Sequence, residues 1–318
     1  MPVSLQQRTF NDFDALHEIL QNASSEVVQI GRGRMTGTLA HLSVGSTFGI
    51  STGSFSTGIR SRGVASGHHW TFGMVLETAG PASALQHPLA AGDVALIAPG
   101  HDRYTSLQGR TRYLAAFIEP QELQAYLATQ PGAQEAMERP IAVLAADPAA
   151  AAANIKALST LMDTLVECGP TMPDDAADFF KRNILELLTE PIRDASRYQG
   201  KEPRSAVKLV AEVDRFLVDA GNRPIHISEL CERFNVGRRR LHRAFHEVLG
   251  MPPITFLRRK RLGDVHSVLL QGGPDLMIRD VAVAHGFVEL GRFAQEYRRL
   301  FGELPSTTMR RTRAVQAN

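Results

Sequence analysis

The 318-residue chain is predicted to be an α+β, multidomain protein: a β-barrel of short strands, a helical linker and an all-α C-terminal domain. Three observations predict it. Apolar residues come in short strand-like runs between residues 25 and 118, then at helical spacing over the rest of the chain. The last third repeats one plan, a short helix, a tight turn and a basic helix stopped by Gly. The formal charge of +2 hides an asymmetry: residues 203–318 hold 20 Lys and Arg against 12 Asp and Glu, whereas residues 1–202 hold 15 against 21. The C-terminal part is thus suited to a polyanionic partner.

Taken in order, Asp12 to Leu20 is a short helical pattern with Phe13, Leu16, Ile19 and Leu20 facing inward. Runs at Val27–Ile30, Thr38–Val44, Phe48–Ile50, Trp70–Leu76, Val94–Ile97 and Tyr113–Ile118 read as strands separated by Gly, Ser, Pro and Asp. That many short strands imply a sandwich or barrel. A helix is expected from Pro120 to about Thr129. A longer one ends near Cys168, and another runs from about Asp174 to Arg197, capped by Asp174 or Asp175. The polar stretch Tyr198–Arg204 reads as a linker. The expected division is 1–145 for the barrel, 146–204 for the helical linker and 205–313 for the C-terminal domain.

In that last domain Ala206 to Val218 is a first helix. Ser228 is expected to cap a short helix with Leu230 and Phe234 inside. Asn235-Val236-Gly237 is turn chemistry, because Asn and Gly tolerate positive φ. The next helix buries Leu241, Ala244, Phe245, Val248 and Leu249, which leaves Arg238, Arg239, Arg240, His242 and Arg243 outside. Gly250 and Pro252-Pro253 end it. After a long helix from Ile254 to Gln271 the plan recurs. Ile278, Val281 and Ala282 are the inner face of a short helix, and His285-Gly286-Phe287 is the turn. A helix with Phe293, Tyr297 and Leu300 buried follows, with Arg292, Gln295 and Arg298 on or beside its outer face. Two such units are tandem helix-turn-helix motifs, whose second helices enter the major groove.

At these positions the chain resembles the AraC/XylS-type transcriptional regulators. The resemblance is carried by Leu230, Leu241-x-x-x-Phe245, Gly250-x-x-Pro253, Phe256-Leu257, Arg261-Leu262, Val281-Ala282, Gly286-Phe287, Phe293, Phe301-Gly302 and Pro305. The chain departs from the family at Gly237 (usually Ser), at Gln295 (commonly Arg) and at Thr308-Met309 (usually Tyr-Arg). The resemblance implies a cupin-like sensory barrel, and Ala91-Gly92-Asp93 and Pro99-Gly100-His101 are similar to its turns. It also implies a dimerising helix pair, promoter DNA and RNA polymerase as partners, and activation. An unknown small-molecule effector is expected in the barrel, with Arg60, His69, Trp70, Phe72, Tyr104 and Arg112 as candidate contacts.

The alternatives are a regulator controlled by a protein partner and a metal-dependent cupin enzyme with a DNA-binding module. Gly49-x-Ser51-x-Gly53 matches a nucleophile motif, but no helix is expected after it. His68 and His69, with Glu77, His87 and His101, are a poor metal set, because adjacent strand residues point to opposite faces. No catalytic residue, metal site or cofactor is assigned. Cys168 and Cys231 have no metal or disulfide spacing. With neither an ~18-residue apolar run nor a signal-peptide pattern, the cytosol is the expected compartment.

Overall fold

The computed structural model describes residues 3–13, 15–16, 25–85, 87–128, 141–168, 172–193, 205–221, 223–273 and 276–316. The strands are β1 (Val3–Phe10), β2 (Ser25–Gln29), β3 (Gly37–Val44), β4 (Phe48–Phe55), β5 (Ile59–Val64), β6 (Trp70–Thr78), β7 (Ala82–Ala84), β8 (His87–Leu89), β9 (Val94–Ile97), β10 (Asp102–Leu107), β11 (Thr111–Ile118) and β12 (Ile141–Leu144). They form two antiparallel sheets, ordered β1-β3-β4-β11-β6-β9-β12 and β2-β5-β10-β7-β8. The expected α+β architecture, a cupin-like barrel followed by helices, is what the chain forms.

Because side chains alternate along a strand, each sheet has two faces with separate jobs. On the larger sheet, Ile50, Phe72, Met74, Leu96, Leu114 and Ala116 face outward into a helical layer. That layer is α1 (Pro120–Leu127), α2 (Pro148–Cys168) and α3 (Asp174–Thr189), which bring Leu123, Leu158, Met162, Leu165, Ile184 and Leu188. Each of these large side chains contributes roughly 1.5–3 kcal/mol by leaving water. The opposite face, with Phe55, Val75, Ala95 and Ile97, looks across the barrel at Ile59 and Leu107 of the smaller sheet.

The C-terminal domain consists of α4 (Ser205–Asp219), α5 (Ile227–Arg233), α6 (Arg238–Leu249), α7 (Pro253–Gln271), α8 (Ile278–Ala284), α9 (Leu290–Phe301) and α10 (Pro305–Gln316). Val207, Val210, Val213 and Leu217 of α4 pack with Leu230, Leu241, Phe245 and Leu249. The spacer α7 has 19 residues, ~28 Å at 1.5 Å per residue. It divides its apolar surface: Phe256 and Leu257 join the first unit's core, and Leu262, Val265 and Leu269 join the second's.

The structure extends and corrects the expected elements. The strands β1, β5, β7, β8, β10 and β12 lie outside the apolar runs that mark the others. Strands β5 and β10 escape because Arg60, Arg62, Asp102 and Arg103 interrupt their apolar pattern. The cap of α5 is His226, whose ring nitrogen accepts from the Ser228 N–H, so Ser228 lies inside the helix. The α3 helix starts after Pro173 with no side-chain cap, and Asp174 and Asp175 occupy its first turn. Gly49–Gly53 lies within β4, which continues to Phe55 with no helix after it. The linker Tyr198–Arg204, the helix ends beyond Leu16 and Arg193, and the Cys168 side chain lie outside the described residues. Cys231 is a half-buried free thiol.

The departure at Thr308 has a structural reason. Its buried hydroxyl bonds the Tyr297 hydroxyl at 2.9 Å and donates to Glu303 Oε1 at 2.6 Å. Tyr297 in turn bonds His266 Nδ1, and the His266 ring stacks on Phe301 at 4.1 Å between centroids. Burial pushes the His266 pKa down from 6.5 to about 4, so the folded protein holds it neutral. The unfolded chain then takes up the proton first as pH falls. Stability is full above about pH 6.5 and is lost progressively towards pH 4, by up to about 3 kcal/mol from this group. Urea unfolding measured across that window is expected to show the loss, and His266→Phe is expected to flatten it.

Candidate nucleic-acid interface

The two short turns set the direction of the basic helices. In the first unit Asn235 takes the left-handed conformation, φ 48°, and Gly237 is the extended residue before α6. Gly286, φ 77°, makes the corresponding turn before α9. With Leu241, Ala244, Phe245, Val248 and Leu249 buried, α6 exposes Arg238, Arg239, Arg240, His242 and Arg243 along one surface. On α9, Arg292, Gln295 and Arg298 are exposed, and Arg292 pairs with Glu296 at 3.1 Å. Gly291 adds no side chain. Two exposed apolar residues escaped sequence reasoning: Val288, 83% exposed in the turn, and Leu290 at the start of α9. Such groups suit a thymine methyl. Their signal was present as apolar positions off the buried stripe.

Both basic helices end against the barrel. The last carbonyls of a helix lack partners within it. Here the Gln108 side-chain amide donates to the Val248 carbonyl at 2.8 Å, near the end of α6. The Gln29 amide donates to the Leu300 carbonyl at 2.6 Å, and the Gly33 N–H to the Arg299 carbonyl at 3.1 Å, near the end of α9. The helices close with left-handed Gly250 and Gly302. A Cβ on Gly250 would lie 2.5 Å from the Gln108 side-chain oxygen, and one on Gly302 3.0–3.2 Å from Arg34. Glycine is required here both for its conformation and for the close approach of the barrel.

The junction also contains a buried ion pair. Arg60 of β5 is fully buried against Asp214 of α4, with Glu26 at 3.1 Å and the Phe256 ring 5.6 Å away. Burial alone would lower the Arg60 pKa; Asp214, Glu26 and Tyr104 hold it above its ordinary value. Burial also pushes the Asp214 carboxyl up, and the Arg60 charge pulls against that. Glu26 reaches on to Lys260 of α7 at 3.5 Å. Arg60 therefore faces the C-terminal domain and not the barrel interior.

The other expected effector contacts are likewise outside the lumen. Trp70 and Phe72 point into the helical layer, and Tyr104 lies on the face that carries Arg60. His69 bonds Ser66 and the Ser46 carbonyl, and Arg112 is exposed. The cavity of about 140 Å³ is walled instead by their neighbours in sequence, including Ile59, Thr71, Gly73, Arg103, Thr105 and Tyr113. On the strands, the cavity is lined mainly by residues of the opposite parity to Arg60, Trp70, Phe72, Tyr104 and Arg112. Among the described residues no three of His, Cys, Asp and Glu gather as a metal site.

Residues 230–311 match the helix-turn-helix domain family. The XylDLEGF operon transcriptional activator 2 of Pseudomonas putida is 35% identical over 98 residues, 30% of this chain and 62% of that protein. A second XylDLEGF operon transcriptional activator of that organism is 32% identical over 142 residues, 44% of this chain and 42% of that protein. The C-terminal domain is of the AraC/XylS type. The chain spans less than two thirds of the length of these AraC/XylS-type relatives. The solved structure of the AraC-like transcriptional activator CuxR aligns with 81% of this chain and 94% of its own, at 12% identity and a TM-score of 0.41.

The buried pair yields a test of how the halves are joined. Asp214→Ala leaves Arg60 buried with less compensation and is expected to lower stability by about 3 kcal/mol in chemical denaturation. The double variant Arg60→Met with Asp214→Leu is expected to recover most of that loss, because Glu26 keeps Lys260 as its partner.

Proposed function

We propose that the protein is a sequence-specific transcriptional regulator that activates by binding promoter DNA through α6 and α9. The observation that carries this is the pair of exposed basic rows on two helices held by one rigid spacer. A ~28 Å spacer approaches the ~34 Å repeat of successive major grooves, so one chain reads two groove segments on one face of the duplex. Arg239, His242 and Arg243 read bases in the first segment, and Arg238 and Arg240 hold phosphates. In the second, Gln295 and Arg292 reach bases and Arg298 a phosphate. RNA polymerase is the partner that activation requires, and the cytosol the compartment. Among the described residues no helix is long and apolar enough to cross a membrane.

The effector reading rests on the barrel cavity. An unfilled lumen favours a small molecule over control by a protein partner alone. Its wall is mostly apolar, with Ser61, Thr71, Arg103, Thr105 and Tyr113 as its polar residues, which suits a small, largely apolar molecule carrying an anionic or hydrogen-bonding group. The α2–α3 pair buries one face on the barrel and leaves Phe179 62% exposed, and we place the contact between two subunits there.

The test is selection of genomic fragments by the purified chain at two salt concentrations. One recurrent site, bound more weakly at higher salt, is expected. Arg239→Ala and Arg243→Ala should each relax base preference at one position by about 1–3 kcal/mol. Arg238→Ala should weaken all sequences alike and reduce the salt slope by about 1. Recovery of no common site at either salt would remove the reading.

A further inference from the structure

We propose that the cleft where the β2–β3 loop meets α7 and α9 is a binding site for a phosphate-class oxyanion, completed by Arg32 of the barrel. The cleft has a volume of about 390 Å³. Five arginines line it: Arg32 from the barrel loop, Arg258 and Arg259 from α7, and Arg292 and Arg299 from α9. Glu296 is the one acidic residue in its wall. That carboxylate is already shared, accepting from Arg258 at 3.0 Å and from Arg292 at 3.1 Å. Among the described residues Arg32, Arg259 and Arg299 have no acidic partner within ion-pair distance. Burial, and then the charge of Arg32, lower the Arg259 pKa, which is what a site short of negative charge does to its cations.

A row of arginines on an open surface is ordinarily solvated and separated. These five converge on one concavity, where like charges repel and an anion between them interacts more strongly than in open water. Guanidinium groups suit such an anion because each can donate two parallel hydrogen bonds to phosphate oxygens. The site is also built in advance. Gln29 donates to the carbonyls of Gly31 at 3.1 Å and Gly33 at 2.7 Å, besides that of Leu300 at 2.6 Å. Gly33, φ 97°, turns the loop so that its N–H meets the Arg299 carbonyl. Arg32 is thereby carried on a fixed loop to a cleft made otherwise by the DNA-binding domain.

Two sources could supply the oxyanion, a backbone phosphate of bound DNA or a free phosphorylated small molecule. The second does not depend on the regulator reading, so the two can fail separately. The test uses the full chain and its variants Arg32→Ala and Arg259→Ala, with Lys156→Ala as a control at an exposed position of α2, in the helical layer whose core holds no residue of the C-terminal domain. Thermal unfolding is followed with pyrophosphate against chloride at matched ionic strength, and the salt dependence of binding to a DNA fragment is measured in parallel. A rise in Tm with pyrophosphate that the control keeps and both test variants lose, with an unchanged salt slope, assigns a free phosphorylated ligand. A slope reduced by about 1 in each test variant assigns a DNA phosphate. A pyrophosphate effect that both test variants keep, or no effect together with unchanged slopes, overturns the site. If the chain binds no DNA at all, the regulator reading fails and the pyrophosphate measurement alone decides this one.

Discussion

A guanidinium taken wholly out of water must find negative charge, and Arg60 finds it across the domain junction. Its partner Asp214 belongs to the first helix of the DNA-binding domain, so neither half can bury its own charge alone. That constraint fixes which face of the smaller sheet meets α4. Once that face is set, Val28 and Ile30 enter the core of the first helix-turn-helix unit, and Glu26 comes within reach of Lys260. Buried pairs of this kind contribute less net stability than their geometry suggests, but they tolerate few alternative arrangements. Here the arrangement so specified is the seating of the barrel on the tandem helix-turn-helix domain.

The seating places barrel groups at the carbonyl ends of both recognition helices. Gln108 serves one helix, and Gln29 with Gly33 the other. The N-terminal half of α6, with Arg238, Arg239, Arg240, His242 and Arg243, stays exposed away from this contact. The barrel and the two basic helices therefore meet at the carbonyl ends of α6 and α9. A change in the barrel that moved the Gln29 or Gln108 strands would act on helix position without crossing the reading surface.

The C-terminal domain was legible because its signals are local. Buried stripes at three- and four-residue spacing, a turn built on Asn235 or Gly286, and left-handed Gly250 and Gly302 all lie within a dozen residues of what they determine. The barrel was legible only as a class. Its edge strand β1 and the strands β5 and β10 carry residues whose polar side chains are satisfied far away in sequence. Arg60 is the clearest case: an arginine in a strand reads as exposed or ligand-binding until Asp214, more than 150 positions later, is known to face it. The same distance problem hid the lumen. Trp70 and Phe72 were attractive for size and aromaticity, but the helices that cover them lie beyond residue 119, and their neighbours Thr71 and Gly73 face inward. Arg32 and Arg259 gave no sign of belonging together, since only the folded junction brings a barrel loop over α7.

The spacer α7 also limits how this molecule can change over evolutionary time. Its first turns join one core and its later turns the other, so each residue added or removed between them turns the second unit by about 100° and shifts it by about 1.5 Å relative to the first. A single-residue insertion between Leu257 and Leu262 would move Leu262, Val265 and Leu269 off the core they fill and swing α9 out of phase with α6. An insertion outside α7, by contrast, leaves its helical phase unchanged. Point substitutions on the exposed faces of α6 and α9 change surface chemistry alone, while the spacing between the two helices stays fixed by the cores that α7 joins.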